Sequence, residues 1–322
     1  MTTIVLVLLA AAGIGGGIAV AANNDGGGGG SSVEAPLFPG EVISTLAAAD
    51  RYKNTTIVSN DSYASFLGDI QFGENKILVS TEVPVLENGA FKQEMIDGHL
   101  ETVMEPQTVE FTAADYTGSD EYADYFSKHI GTWRGRWEGE YIQASMDDGL
   151  ALGGRVTGLE DSEFGYRKNT TQTSGYPADT YYRAFYAYDS TRLASVQRFD
   201  TASYAGNMLG SVSTFFDPDE MMRSIPLAGK ANFSLNFANG NLTGNIKAQS
   251  DGKEWYSLNI NGYIYSPSDV HFQANPEGNV DPSLSDWSFN SKNSPYLPSG
   301  GGSGKILSSE LVGDLDVSGF NA

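Results

Sequence analysis

The chain has no cysteine among its 322 residues, three histidines, and no charged side chain before Asp25. The first absence excludes disulfides, thiolate metal sites, iron–sulfur clusters and cysteine nucleophiles, so side-chain packing alone must hold the fold. The histidines, His99, His129 and His271, lie far apart with no i, i+4 ligand spacing, which argues against a metal triad. Basic residues are also scarce: 19 against 40 acidic ones, a formal charge of −21. Such a surface repels phosphate backbones and anionic headgroups, and no nucleic-acid partner is expected. No Gly-x-Ser-x-Gly elbow, phosphate-cradling glycine loop with its lysine, or His-Glu-x-x-His helix is present, and no enzyme is expected. Carboxylate pairs such as Asp217-Pro218-Asp219-Glu220 and Asp147-Asp148 arise freely in so acidic a chain. Neither, by itself, assigns a calcium site or a glycosidase dyad.

What is there begins with an apolar run. Ile4 to Val20 is unbroken aliphatic, Ala and Gly, its end overlapping Ala19-Val20-Ala21, with Asn23, Asn24 and Asp25 just beyond. The small-x-small pattern before polar residues reads as a secretory signal peptide over residues 1–22, with an uncleaved membrane anchor as the alternative. Against it stand the missing n-region lysine or arginine and the helix-weakening Gly15 to Gly17. Either reading places the rest outside the cytoplasm: at the cell surface, in an outer membrane or secreted. Gly26 to Gly30 with Ser31 and Ser32 reads as a flexible tether over 23–34.

The remainder has strand chemistry. With 40% apolar residues it is long enough to bury a core. Residues 35–126 hold short β-branched runs, among them Thr56 to Val58, Ile77 to Thr81 and Thr108 to Thr112, separated by Asn, Asp and Gly. Short helices are expected at 41–50 and near 91–103. Beyond residue 127, Thr180 to Tyr188 is an aromatic strand. Phe233, Leu235 and Phe237 alternate with Ser234 and Asn236 ahead of Asn239-Gly240, and Leu242, Gly244 and Ile246 alternate on the return, a hairpin signature. Trp255 to Tyr265 and Glu310 to Val317 are further strands, and Gly300 to Gly304 reads as a surface loop. The fold class is therefore all-β: a C-terminal eight-stranded antiparallel β-barrel over 127–322, closed to avoid exposed edges, after a smaller β-rich N-terminal segment. Glycines within its strands, such as Gly206, Gly244 and Gly262, suit a coiled barrel wall. The strands are too polar for the lipid-facing band of a porin-type barrel.

Aromatic residues are the most informative for function. Trp133 and Trp137 alternate with Arg134 and Arg136, so the tryptophans share one strand face, in the core or on a ligand surface. Large, rotamer-poor tyrosines near loop tips make good anchors. The candidate ligand-binding residues are Tyr176, Tyr181, Tyr263, Tyr265, His271 and Phe272, in or near the Gly-, Pro-, Ser- and Asn-rich stretches 160–179 and 266–303.

Residues 129–322 carry a succession of short motifs: His129-Ile130-Gly131-Thr132-Trp133, Tyr204-Ala205-Gly206-Asn207-Met208-Leu209-Gly210, Ile225-Pro226-Leu227-Ala228-Gly229, and the hairpin Asn232 to Ile246. The strand Leu258 to Tyr265 and the closing Ser309-Glu310-Leu311-Val312-Gly313-Asp314 complete it. In this order they resemble the C-lobe barrel of the transferrin-binding protein B-like surface lipoproteins. The resemblance implies export, an eight-stranded barrel and capture of an iron protein, haem or another ligand, that is, a link to iron acquisition. Two features depart from it: no cysteine is available for a lipobox, and the Phe-Tyr-Gly-Pro expected before the last strand is missing.

The resulting expectation is a monomeric exported binding protein, free or envelope-associated through its leader, that takes a protein or small-molecule ligand through barrel-rim loops without an obligatory cofactor. The alternatives are a haem or metal carrier using His271 or His99 with rim tyrosines, and a calcium-dependent structural or adhesion protein.

Overall fold

The computed structural model describes residues 2–12, 70–73, 76–96, 98–176, 178–196, 198–215, 222–277, 299–307 and 309–320. The expected helix at 41–50, the strand at Thr56 to Val58, the glycine tether and the Asp217 to Glu220 carboxylates lie outside these residues. The described chain is all-β. Its strands are β1 (Thr2–Ala12), β2 (Ile70–Gly73), β3 (Lys76–Pro84), β4 (Leu86–Glu87), β5 (Ala90–Phe91), β6 (Gln93–Ile96), β7 (His99–Thr102) and β8 (Met104–Phe111). They continue as β9 (Tyr116–Ser119), β10 (Asp124–Trp137), β11 (Glu140–Leu152), β12 (Ser162–Thr173) and β13 (Asp179–Tyr188). The C-terminal set is β14 (Thr201–Phe215), β15 (Met222–Asn236), β16 (Asn241–Ser250), β17 (Lys253–Ser266), β18 (Asp269–Glu277), β19 (Ser299–Ile306) and β20 (Glu310–Phe320).

The strands β14 to β20 follow one another antiparallel in a barrel-like sheet, and β1 is registered against both outer members, with Leu6 opposite Gly210 of β14 and Leu315 of β20. Alternation explains the wall. Phe233, Leu235, Leu242, Ile246, Leu258 and Ile260 point inward and are almost fully buried. At about 1.5–3 kcal/mol per fully buried large apolar side chain, this interior is the main stabilising term. The β15–β16 turn forms as its sequence dictates: Asn236 Oδ1 accepts from the Ala238 and Asn239 amides at 3.1 and 3.3 Å, and Gly240 takes φ +74°.

Strands β9 to β13 form a separate five-stranded sheet in the order β13-β12-β11-β10-β9, and β2, β3 and β8 a three-stranded one. On one face of the five-stranded sheet Phe126, Leu150, Leu152 and Phe185 meet Ile77, Val79 and Phe111 of the smaller sheet. On the other, Phe164, Tyr166, Tyr186 and Tyr188 meet Leu209, Leu307 and Val312 on the outside of the barrel-like sheet. The five-stranded sheet is thus a middle layer. Buried polar groups pin both contacts. Arg167 bridges Asp148 at 2.7 Å and donates to the Ser80 carbonyl at 2.6 Å. Glu310 accepts from the Glu160 amide, the Asp161 amide and the Ser162 hydroxyl at 2.6, 3.0 and 2.6 Å.

Four sequence expectations are corrected. The barrel-like sheet does not take up 127–322, because β10 to β13 within 124–188 belong to the five-stranded sheet. The helix near 91–103 is instead two small hairpins, because Asn88-Gly89 and Gly98 take positive φ and set tight turns. The stretch 160–179 is mostly strand β12 rather than loop. Gly300 to Gly304 is not a loop either but lies within β19, where glycine makes room: a Cβ on Gly302 would stand 2.4 Å from the Phe272 ring.

Candidate functional site

The five-stranded sheet covers β20, the middle of β14 and β15 near Ala228, while the outward positions of β16 to β18, of β15 from Asn232 onward and of the first residues of β14 stay open. Their outward positions align in rungs across the strands. One rung runs Ala205, Asn232, Asn245, Asn259. The next is Ser203, Ser234, Thr243, Asn261 and Gln273. The third is Thr201, Asn236, Asn241, Tyr263 and His271. None of these side chains carries a fixed charge. Beyond the first rung come Lys230 and Lys247, and beyond the third come Asp269, paired with Lys305, and Arg198, paired with Asp200 at 2.6 Å. The strands thus display a neutral window framed by ions.

Within it Asn232 Nδ2 donates to Asn245 Oδ1 at 3.4 Å. A shallow groove of about 510 Å³ crosses the first two rungs, lined by Ser203, Ala205, Asn232, Ser234, Thr243 and Asn245. Ala205 adds only a methyl to this face, while Gly244 faces the interior, where a Cβ would meet the Phe233 ring at 2.6 Å.

At the rim, Tyr263 stacks on His271 with centroids 5.6 Å apart and planes at 28°, and Tyr265 meets the same imidazole edge-on at 5.6 Å. Tyr263 is 55% and Tyr265 71% exposed. Cross-strand pairing of residues 263 and 271 places the first two rings side by side. Asp269 fixes the hairpin beyond them. Burial pushes its carboxyl up, but hydrogen bonds from Lys305, Ser266 and Ser268 outweigh that and hold it down at about 2. The neighbouring connection carries Val196 and Phe199, each 73% exposed. It is tied to the rim where the Phe237 amide donates to the Asp200 carbonyl at 2.9 Å and Arg198 lies over the Phe237 ring at 4.4 Å.

The structure brings together three of the six residues singled out from sequence: Tyr263, Tyr265 and His271. Phe272 is 4% exposed and fills the barrel interior, because the residue after an outward histidine must face inward. Tyr181 lies on β13 of the five-stranded sheet, and exposed Tyr176 lies in the β12–β13 turn, 6.2 Å from the Trp137 ring. Neighbouring Tyr182 is held up at about 12 by burial and then by Asp251, at the β16–β17 turn of the barrel-like sheet's opposite end. Trp133 and Trp137 of β10 pack beside Ile142 and Ala144 of β11 and Phe91 of β5. His99 lies on β7, on another hairpin, and His129 shares a 2.8 Å contact with Asp147. Asp147 and Asp148 are thereby engaged separately, the second by Arg167. Among the described residues no three His, Asp or Glu side chains converge as a metal site would require.

Sequence reasoning missed the neutral rungs, Val196 and Phe199. The rungs had a signal: the residues between the apolar ones, Asn232-x-Ser234-x-Asn236, Asn241-x-Thr243-x-Asn245 and Asn259-x-Asn261-x-Tyr263, repeat uncharged amides and hydroxyls. No family model matches the chain, and no curated protein matches it.

Proposed function

We propose that this chain is an exported binding protein, at the cell surface or released, that captures its ligand on the rim and outer face of its antiparallel β14–β20 barrel. The observation that carries the reading is the exposed ring cluster Tyr263, His271 and Tyr265, set on a braced hairpin. Large rigid aromatic groups held in solvent by a stiff sheet are what a binding surface uses, since little rotamer entropy is lost on contact. The resemblance to transferrin-binding protein B-like proteins points the same way, and the apolar leader supports export. A haem ligand is a narrower version of this reading, expected to give a Soret band that His271→Ala abolishes. A calcium-dependent structural role is expected to show as a melting temperature that falls in chelator.

The test is intact mass and N-terminal sequencing of the protein from its native cells, fractionated into cytoplasm, membrane and medium. A chain in the envelope or medium supports export, and a start near Ala22 shows the leader removed and the barrel left with seven strands. Full-length protein in the soluble cytoplasm overturns export and keeps β1 as the eighth strand.

A further inference from the structure

The neutral window is unusual for this molecule. A chain with 40 acidic and 19 basic residues places none of them on three successive rungs of its open sheet. From this we infer that the face binds an uncharged oligosaccharide, its rings lying across the strands from the groove at Asn232 and Asn245 to the platform of Tyr263 and His271. This rests on the binding-protein reading and names its ligand class.

The chemistry matches at each part of the surface. A carboxamide both donates and accepts, and so do the hydroxyls of Ser234 and Thr243, as sugar hydroxyls require. Neighbouring strands stand about 4.8 Å apart and alternate residues along one strand about 6.8 Å, so the rungs form a grid of such groups on the scale of successive sugar rings. Tyr263 and His271, stacked side by side and exposed, offer flat faces to the apolar C–H side of a pyranose.

The other ligand classes fit less well. An anionic ligand meets no cation on these rungs, and a cationic one no carboxylate. A protein interface centres on aromatic and apolar groups, whereas here the centre is amide and hydroxyl and the aromatic groups stand at one edge. Asn232 and Asn245 share one long hydrogen bond of 3.4 Å, so most of their polar capacity faces outward and is available to a ligand.

The experiment is isothermal titration calorimetry of the full chain with cellohexaose, hexa-N-acetylchitohexaose and mannohexaose, and with hexagalacturonate as the charged comparison. Binding of at least one neutral hexasaccharide is expected, with hexagalacturonate at least tenfold weaker. Tyr263→Ala and Asn245→Asp are each expected to weaken the neutral sugar at least tenfold while leaving the melting temperature unchanged, because both positions are solvent-facing. Asn245→Ala is expected to weaken it less than Asn245→Asp, which adds charge as well as removing the amide. No binding of any neutral sugar, or binding undiminished in both Tyr263→Ala and Asn245→Asp, overturns the inference. If the sugars fail but an extracellular protein binds and is lost with Phe199→Ala and Tyr265→Ala, the sugar assignment falls while the binding-protein reading stands. If neither binds, both fall.

Discussion

Arg167 donates to Asp148 at 2.7 Å with both side chains wholly buried between the three-stranded and five-stranded sheets. Asn169 donates to the second carboxylate oxygen at 2.9 Å, and Arg167 also reaches the Ser80 carbonyl. Removing one partner strands a charge in a low-dielectric layer. Asp148→Ala is expected to cost about 3–5 kcal/mol in chemical denaturation. The double replacement Asp148→Leu with Arg167→Met is expected to cost less than Asp148→Ala alone, because no unpaired charge remains.

Glu310 makes the equivalent tie on the other face of the five-stranded sheet, holding the segment Glu160 to Ser162 against β20. Glu310→Ala leaves two backbone amides and a hydroxyl without their acceptor, an expected loss of about 3 kcal/mol. Amide hydrogen exchange is the direct readout: Glu160 and Asp161 are expected to exchange faster while the β15–β16 hairpin stays protected. Glu310→Gln keeps an oxygen at that place and is expected to show a smaller change.

Asp269 gives the rim hairpin an acid sensitivity of predictable sign. Its carboxyl is held at about 2 in the folded chain against an ordinary 3.8. The stability it contributes is therefore fully present above pH 3.8 and is lost as pH falls toward about 2. Asp269→Asn is expected to lower the melting temperature at pH 6, with the gap to the unsubstituted protein closing as pH approaches 2. A gap that does not change with pH overturns the assignment.

Gly302 is a size constraint within the barrel wall. A Cβ there would stand 2.1 Å from the Asp314 carbonyl oxygen and 2.4 Å from the Phe272 ring. Gly302→Val is expected to destabilise by at least about 1–3 kcal/mol, as overfilled cores do. Adding Phe272→Leu is expected to recover only part of this in thermal melts, since the clash with the backbone carbonyl persists.

The strands legible in the sequence were those with one wet and one dry face. Phe233, Leu235 and Phe237 between Ser234 and Asn236 gave away β15, and Thr180 to Tyr188 coincides with β13 almost end to end. Segments whose structure depends on partners elsewhere were not legible. Gly300 to Gly304 has no side chains to alternate, and it is a strand because β18 and β20 flank it and Phe272 needs the space. The site divided in the same way. Tyr263 and His271 read as exposed aromatics, but their stacking depends on the β17–β18 register. Phe272 read as a neighbour of His271 in sequence and lies on the opposite side of the wall.

The pairing of β1 ties any removal of the N-terminal residues to the shape of the barrel-like sheet. The backbone of Thr2–Ala12 is registered against β14 and β20 at once, so these residues cannot serve both as a leader that is cut away and as a stave of the wall. Cleavage after Ala21 would unzip two ladders in a single event and leave two facing rows of unpaired amides and carbonyls, a slot shaped for one more strand. Processing at one peptide bond would then decide whether β14 and β20 keep a shared partner strand or present two open edges.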